Sequence, residues 1–90
     1  MNVLFPLALL LETDHCRFHH SRIPDDDEKV VSLLRTPDAW PPVEIFWNRK
    51  CGEWNICDGL HRTKAAALLG WKMIPVKIHL PVAPNLFPVA

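Results

Sequence analysis

The stretch CDGLHRTKAAALLG, residues 57–70, sets a glycine turn, a His-Arg pair and a lysine at the start of an alanine-rich segment. A strand ending near Cys57, a turn at Asp58-Gly59 and a helix over residues 61–69 leave free backbone N–H groups converging on one point. Such a point is an anion site before any side chain is counted. His61, Arg62 and Lys64 add cationic or titratable groups, and a guanidinium holds two phosphate oxygens at once. Gly59 lets a ligand approach the backbone closely. The arrangement suits phosphate. An ordinary strand-turn-helix with solvated polar residues is the alternative reading of the same pattern.

A second group of candidates lies upstream. Lys29, Ser32 and Thr36 fall at i, i+3 and i+7 of a helix and share the face opposite Val30, Leu33 and Leu34. One cation and two hydroxyls can hold a polyphosphate, and a plain solvated face is the competing reading. The segment DHCRFHH supplies His15, Cys16, His19 and His20, with Cys51 and Cys57 elsewhere. Zinc accepts such ligands, but the spacing fits no common structural site, so a polar loop with solvated histidines is the reading adopted.

Composition frames these candidates. Ninety residues make one small domain with a single core. With 49% apolar and 22% charged residues, the chain belongs among globular proteins rather than disordered ones. The formal net charge is zero, which disfavours a domain living mainly on duplex DNA. Three cysteines without a CxxC pair argue against a disulfide framework and for reduced thiols in a cytoplasmic protein. The apolar run over residues 3–11 lacks a basic residue before it, is interrupted by Pro6 and is too short to cross a bilayer. It reads as a buried first strand.

The elements that must position the candidates follow from pattern. Residues 12–29, ETDHCRFHHSRIPDDDEK, read as polar and turn-like, leading into a helix. Asp25, Asp26 and Asp27 suit a helix N-terminus, and Pro37 closes that helix. VEIFWNR alternates, with Val43, Ile45 and Trp47 on one face; KCGE then supplies a turn and WNICD a second strand, giving a hairpin over residues 43–57. Cys57 at its end reads as a buried thiol. Gly70 is a left-handed stop for the following helix. MIPVKIHL is a further strand with Ile74, Val76, Ile78 and Leu80 inward. Strand, helix, hairpin, helix and strand together indicate an α+β domain over residues 1–80, a mixed sheet with two main helices. Residues 81–90 read as a proline-rich C-terminal tail, extended over the surface and available to a protein partner.

These residues carry a family resemblance. DGLHRTKAAALLGWKMIPVKI resembles the signature of the ParB/sulfiredoxin superfamily, a Gly-x-His-Arg turn, an Ala-rich helix and Ile-Pro-Val. DDDEKVVSLLRTPDAWPPVEIFW is similar to the upstream sulfiredoxin pattern, so the resemblance runs over residues 22–78. It implies a nucleotide site, ATP or a related nucleotide with magnesium, in which Lys29, Ser32, Thr36, Gly59, His61 and Arg62 surround the phosphates. Asp58 would meet a ribose hydroxyl or the magnesium ion, its alternative being a turn-forming role. Arg22 resembles the arginine that ParB-like members place before the first helix, with Arg17 as the alternative.

The departures shape the expected chemistry. Sulfiredoxin needs a cysteine between the turn glycine and the histidine, and Leu60 stands there, so sulfinic acid reduction by that route is not expected. Asp-Gly-x-His-Arg resembles instead the branch of stand-alone ParB-like domains and a nucleotide-dependent serine kinase. That branch uses an N-terminal acid as general base, which makes Glu12 and Asp14, with His61, the catalytic candidates. Partition ParB proteins carry a helix-turn-helix after this module, for which a chain stopping at residue 90 has no room. The expectation is a nucleotide-binding domain, with hydrolysis or phosphoryl transfer as its chemistry. Rivals are a non-catalytic nucleic-acid or protein module, or a ParB-like nuclease.

Overall fold

The computed structural model describes residues 2–79. Residues 80–90, including Leu80 and the tail, lie outside the described residues. The elements in chain order are β1 (Asn2–Pro6), α1 (Leu7–Leu11), α2 (Asp14–His20), α3 (Glu28–Leu34), β2 (Val43–Asn48), β3 (Glu53–Asp58), α4 (Leu60–Leu68) and β4 (Met73–His79). One 3-10 turn, Pro37–Ala39, joins α3 to β2.

The four strands form one mixed sheet in the order β1-β4-β2-β3. β1 pairs antiparallel with β4, and β2 antiparallel with β3, while β2 and β4 run parallel. The register sets Phe5 beside Ile74, Val43 beside Val76 and Ile45 beside both Ile78 and Ile56. These inward positions make the centre of the core, joined by Leu7, Leu10, Cys16 and Ala66 from the helices. Burying each large aliphatic side chain there contributes roughly 1.5–3 kcal/mol. The fold is the α+β class expected, with the hairpin and both main helices within a residue or two of their expected bounds.

The N-terminal fifth differs from expectation. The run over residues 3–11 is not one buried strand: β1 stops at Pro6, and Leu7–Leu11 form a helical turn. Leucine and alanine favour helix, whereas the segment after Pro6 has no β-branched residue. Only Phe5 of β1 is buried, and Leu4 is 65% exposed. Residues 14–20 are likewise a helix rather than a polar turn. Thr13 caps it by accepting from Cys16 N at 3.1 Å. The Glu53 carboxylate accepts from Asp14 N and His15 N at 3.2 and 3.0 Å. Two caps from different parts of the chain compensate for a sequence poor in helix formers. Trp47 keeps the inward side expected of it but overshoots the core and is 45% exposed.

The remaining helix ends match their signals. Asp27 caps α3 by accepting from Lys29 N and Val30 N. α4 ends in paired bonds, Gly70 N to the Ala67 carbonyl and Trp71 N to the Ala66 carbonyl, with Gly70 at φ +76°. No helix among the described residues is long and apolar enough to cross a membrane.

Candidate nucleotide-phosphate site

α3 packs against α4, and a cleft of about 530 Å³ opens between α3 and the turn that starts α4. Lys29 and Ser32 line it from α3, and Asp58, Gly59, His61 and Arg62 from the turn. Two sequence segments separated by a hairpin are thus brought to one place. Glu28 and Leu33 also line it; Glu28 is not among the sequence candidates, and Leu33, expected on the core stripe with Val30, lies half-buried at the border of the two faces. Residues 28, 29, 32 and 33 form one helical stripe, so the signal was present in the periodicity.

Thr36 does not join them. α3 ends at Leu34 with Arg35 as its C-cap, and Thr36 leads into the 3-10 turn instead of continuing the helical face. The i, i+7 spacing fails because the helix is two residues too short.

The glycine turn has a packing cause. Gly59 sits at φ +118°, and a Cβ there would lie 2.9 Å from Val43 Cγ2. Its lack of a side chain is required by the close approach of β2. α4 begins without a side-chain cap; its first helical bond joins Thr63 N to the Gly59 carbonyl at 2.9 Å. The N–H groups of residues 60–62 therefore have no partner inside the helix.

The basic side chains at this helix start each lie near an acid. Arg62 Nη2 donates to Asp58 at 2.9 Å, and Lys64 Nζ lies 3.2 Å from Asp25. His61 Nε2 lies 3.7 Å from Asp27. Three carboxylates offset the unfavourable meeting of positive side chains with a positive helix end. Arg62 is committed further: its Nη1 donates to the Pro41 and Pro42 carbonyls at 2.8 and 2.7 Å, and its side chain is 11% exposed. It fastens the Pro41-Pro42 connection to α4. Lys29 is different: among the described residues it pairs with no carboxylate.

A polar network lies beneath the turn. Thr63 Oγ1 donates to the Leu60 carbonyl at 2.8 Å, and His20 Nε2 approaches both, at 2.8 Å from Thr63 Oγ1 and 3.1 Å from Leu60 O. With the hydroxyl proton committed, Nε2 is the donor, which fixes the tautomer. Burial lowers the His20 pKa from its ordinary value, only partly opposed by the Leu60 carbonyl. Cys16, 3.6 Å from His20 Nε2, is buried, and burial pushes its thiol up to about 11. It is an inert thiol.

The other candidates lie elsewhere. Arg22 stacks over Phe18, 4.7 Å from the ring centroid, and Arg17 lies in the last turn of α2. Glu12 caps the C-terminus of α1, and Asp14 opens α2; neither lines the cleft, which leaves His61 there among the three catalytic candidates. Cys57 is exposed rather than buried, because β3 runs past the core at its end. Partial desolvation and the Glu44 carboxylate raise its pKa, so a reactive thiolate is disfavoured. Leu60, at the position of the sulfiredoxin cysteine, packs against the core. Among the described residues no group of three or more His, Cys, Asp or Glu is arranged to hold a metal ion.

Comparison with known proteins agrees with this geometry. The chain is similar to sulfiredoxin from Arabidopsis thaliana, with a TM-score of 0.63 and 25% identity, over 90% of this chain and 86% of that one. No curated protein sequence matches it. The model of the ParB N-terminal domain matches residues 11–85. With most of its length matched in this way, the chain belongs to the ParB N-terminal domain family, and its fold is that of the ParB/sulfiredoxin superfamily.

Proposed function

We propose that this domain binds ATP or a related nucleotide through its phosphates in the cleft between α3 and α4. One observation carries the reading: an uncapped helix N-terminus faces, across a cleft, a lysine and a serine supplied by another helix. The free N–H groups of α4 would receive phosphate oxygens, and Lys29 would neutralise charge. Ser32 would add a hydroxyl donor. Arg62 would act through its hold on the turn as much as through direct contact.

Glu28 and Asp58 make the cleft mixed in sign. Two carboxylates repel a bare polyphosphate but accept one that carries magnesium. The described residues include no complete metal site of their own, so the ion would arrive with the phosphates. His61, beside Asp27, is the group placed to move a proton in hydrolysis or phosphoryl transfer. Sulfinic acid reduction lacks its nucleophile at Leu60. A cytoplasmic setting fits three free cysteines.

Family membership favours a second reading, a nucleic-acid or protein-binding module without catalysis. Two titrations, each at two salt concentrations, separate them: one of ATP, ADP, CTP and GTP with and without magnesium, one of a short duplex. Nucleotide binding is expected to be the tighter and less salt-sensitive. Duplex binding should be weak, near or above roughly 10⁻⁵ M at physiological salt. Submicromolar duplex binding without nucleotide binding would make the second reading the correct one.

A further inference from the structure

At the opposite end of the β2–β3 hairpin lies a second cleft, of about 330 Å³, between α1 and the hairpin turn. Its lining is chemically distinct from the first. Trp47 and Trp54 form its wall with their rings 5.3 Å apart and nearly perpendicular, and Phe5 packs behind Trp54 at the same distance. Leu9 of α1 is 45% exposed at its edge, as is Trp47. Glu12 and Glu53 contribute carboxylates, while no lysine, arginine or histidine lines the cleft. Gly52, at the mouth, has nothing within 4 Å of where a Cβ would stand.

The two carboxylates differ in state. Glu53 is held in place, since each of its oxygens accepts a backbone N–H from the start of α2. Those bonds leave further acceptor positions on both oxygens. Glu12 makes no ion pair among the described residues. A fixed acid, a second acid without a cation and two indole rings with negative faces make one electrostatic environment, and it is cation-selecting.

We infer that this cleft receives an arginine side chain presented by a partner polypeptide. Guanidinium meets both features at once, stacking on an indole face while its fork of donors reaches a carboxylate. The methylene stem would lie along the exposed Leu9. The cleft is shallow and open, which suits a side chain borne by a larger surface. Exposed tryptophan beside an apolar residue is also unusual on a small protein unless a partner covers it, and Trp with Arg dominates such contacts.

The test uses the full chain labelled with nitrogen-15 and the peptide acetyl-Gly-Gly-Arg-Gly-Gly-amide, read through the four tryptophan indole N–H signals. The signals of Trp47 and Trp54 should move saturably in the millimolar range, while those of Trp40 and Trp71 stay. The same peptide with citrulline, which keeps the shape but not the charge, should bind about two- to fivefold more weakly. Glu12→Gln, an isosteric surface change, should weaken the arginine peptide by a similar factor, and Trp47→Ala should abolish saturation. Unmoved Trp40 and Trp71 signals in each variant show that the fold is intact. Absence of a saturable shift, equal binding of the citrulline peptide or movement of all four indoles alike would each overturn the inference.

Discussion

Replacement of Gly59 by alanine tests how tightly the turn before α4 is built into the core. A Cβ at that φ of +118° would lie 2.9 and 3.0 Å from the two Val43 methyls and 3.2 Å from Val43 Cα. Val43 is 1% exposed and paired to Val76 in the middle of the sheet. Val43 also lines a small cavity of about 100 Å³, but no rotamer change moves its Cα. The left-handed backbone costs roughly 1–2 kcal/mol for a residue with a side chain. Overpacking adds about 1–3 kcal/mol. The stiffer unfolded chain returns about 0.4–1 kcal/mol. The net loss is then roughly 1–4.5 kcal/mol, about 3 kcal/mol at mid-range. At about 4–8 °C per kcal/mol for a domain of this size, Tm should fall by roughly 10–30 °C. Gly52 and Gly70, at φ +67° and +76° with nothing within 4 Å, carry only the backbone penalty. Their alanine variants should lose about 1 kcal/mol each. Urea unfolding of the three variants gives the comparison through their midpoints. Adding Val43→Ala to Gly59→Ala should cost less than the sum of the two single changes. Equal midpoints for Gly59→Ala and Gly52→Ala, or strict additivity with Val43→Ala, would refute the reasoning.

Arg62→Ala should lose both stability and nucleotide affinity, about 1.5–3 kcal/mol, because the guanidinium holds two carbonyls and Asp58 as well as standing at the cleft. Lys29→Ala should weaken nucleotide with little change in unfolding, as expected of an exposed cation; calorimetric titration beside urea melts of both variants checks the contrast. Because His20 in the folded chain titrates below the ordinary 6.5, its stabilising contribution is full above that pH and is lost as pH falls from 6.5 towards the folded value. His15 is lowered in the same direction, so His20→Gln, which keeps a donor for Thr63, should flatten the acid side of a stability–pH curve without abolishing its slope. ATP-dependent reduction of a sulfinylated peroxiredoxin should be absent, and turnover that Cys57→Ser abolishes would mean the exposed Cys57 has taken over the role of the missing thiol.

The two segments that line the cleft are legible in the sequence because each carries local signals. Asp27 announces α3, the Asp58-Gly59 pair announces the turn, and Gly70 announces the end of α4. What was not legible depends on distance. Nothing local says that Glu53 caps α2 from across the hairpin, so DHCRFHH read as a loop. The acid partners of His61, Arg62 and Lys64 include Asp25 and Asp27, more than thirty residues upstream. Gly59 reads in the sequence as ligand access, and its second constraint, the contact with Val43, emerges only from the packing of β2. Thr36 was included by extending a helical period beyond the residue where the helix stops.

The pairing of β1 with β4 has a consequence for how the domain comes into being. Asn2 stands opposite Lys77, so β1 is completed by the strand that follows all the other described elements. During synthesis β1 waits until the other elements of the domain have been made before its neighbour exists, and β4 must also close against β2 in the parallel sense. Such sequence-distant contacts slow folding and keep it cooperative. The Asp58-Gly59 turn would therefore acquire its shape only late, when β4 draws the sheet shut behind Val43.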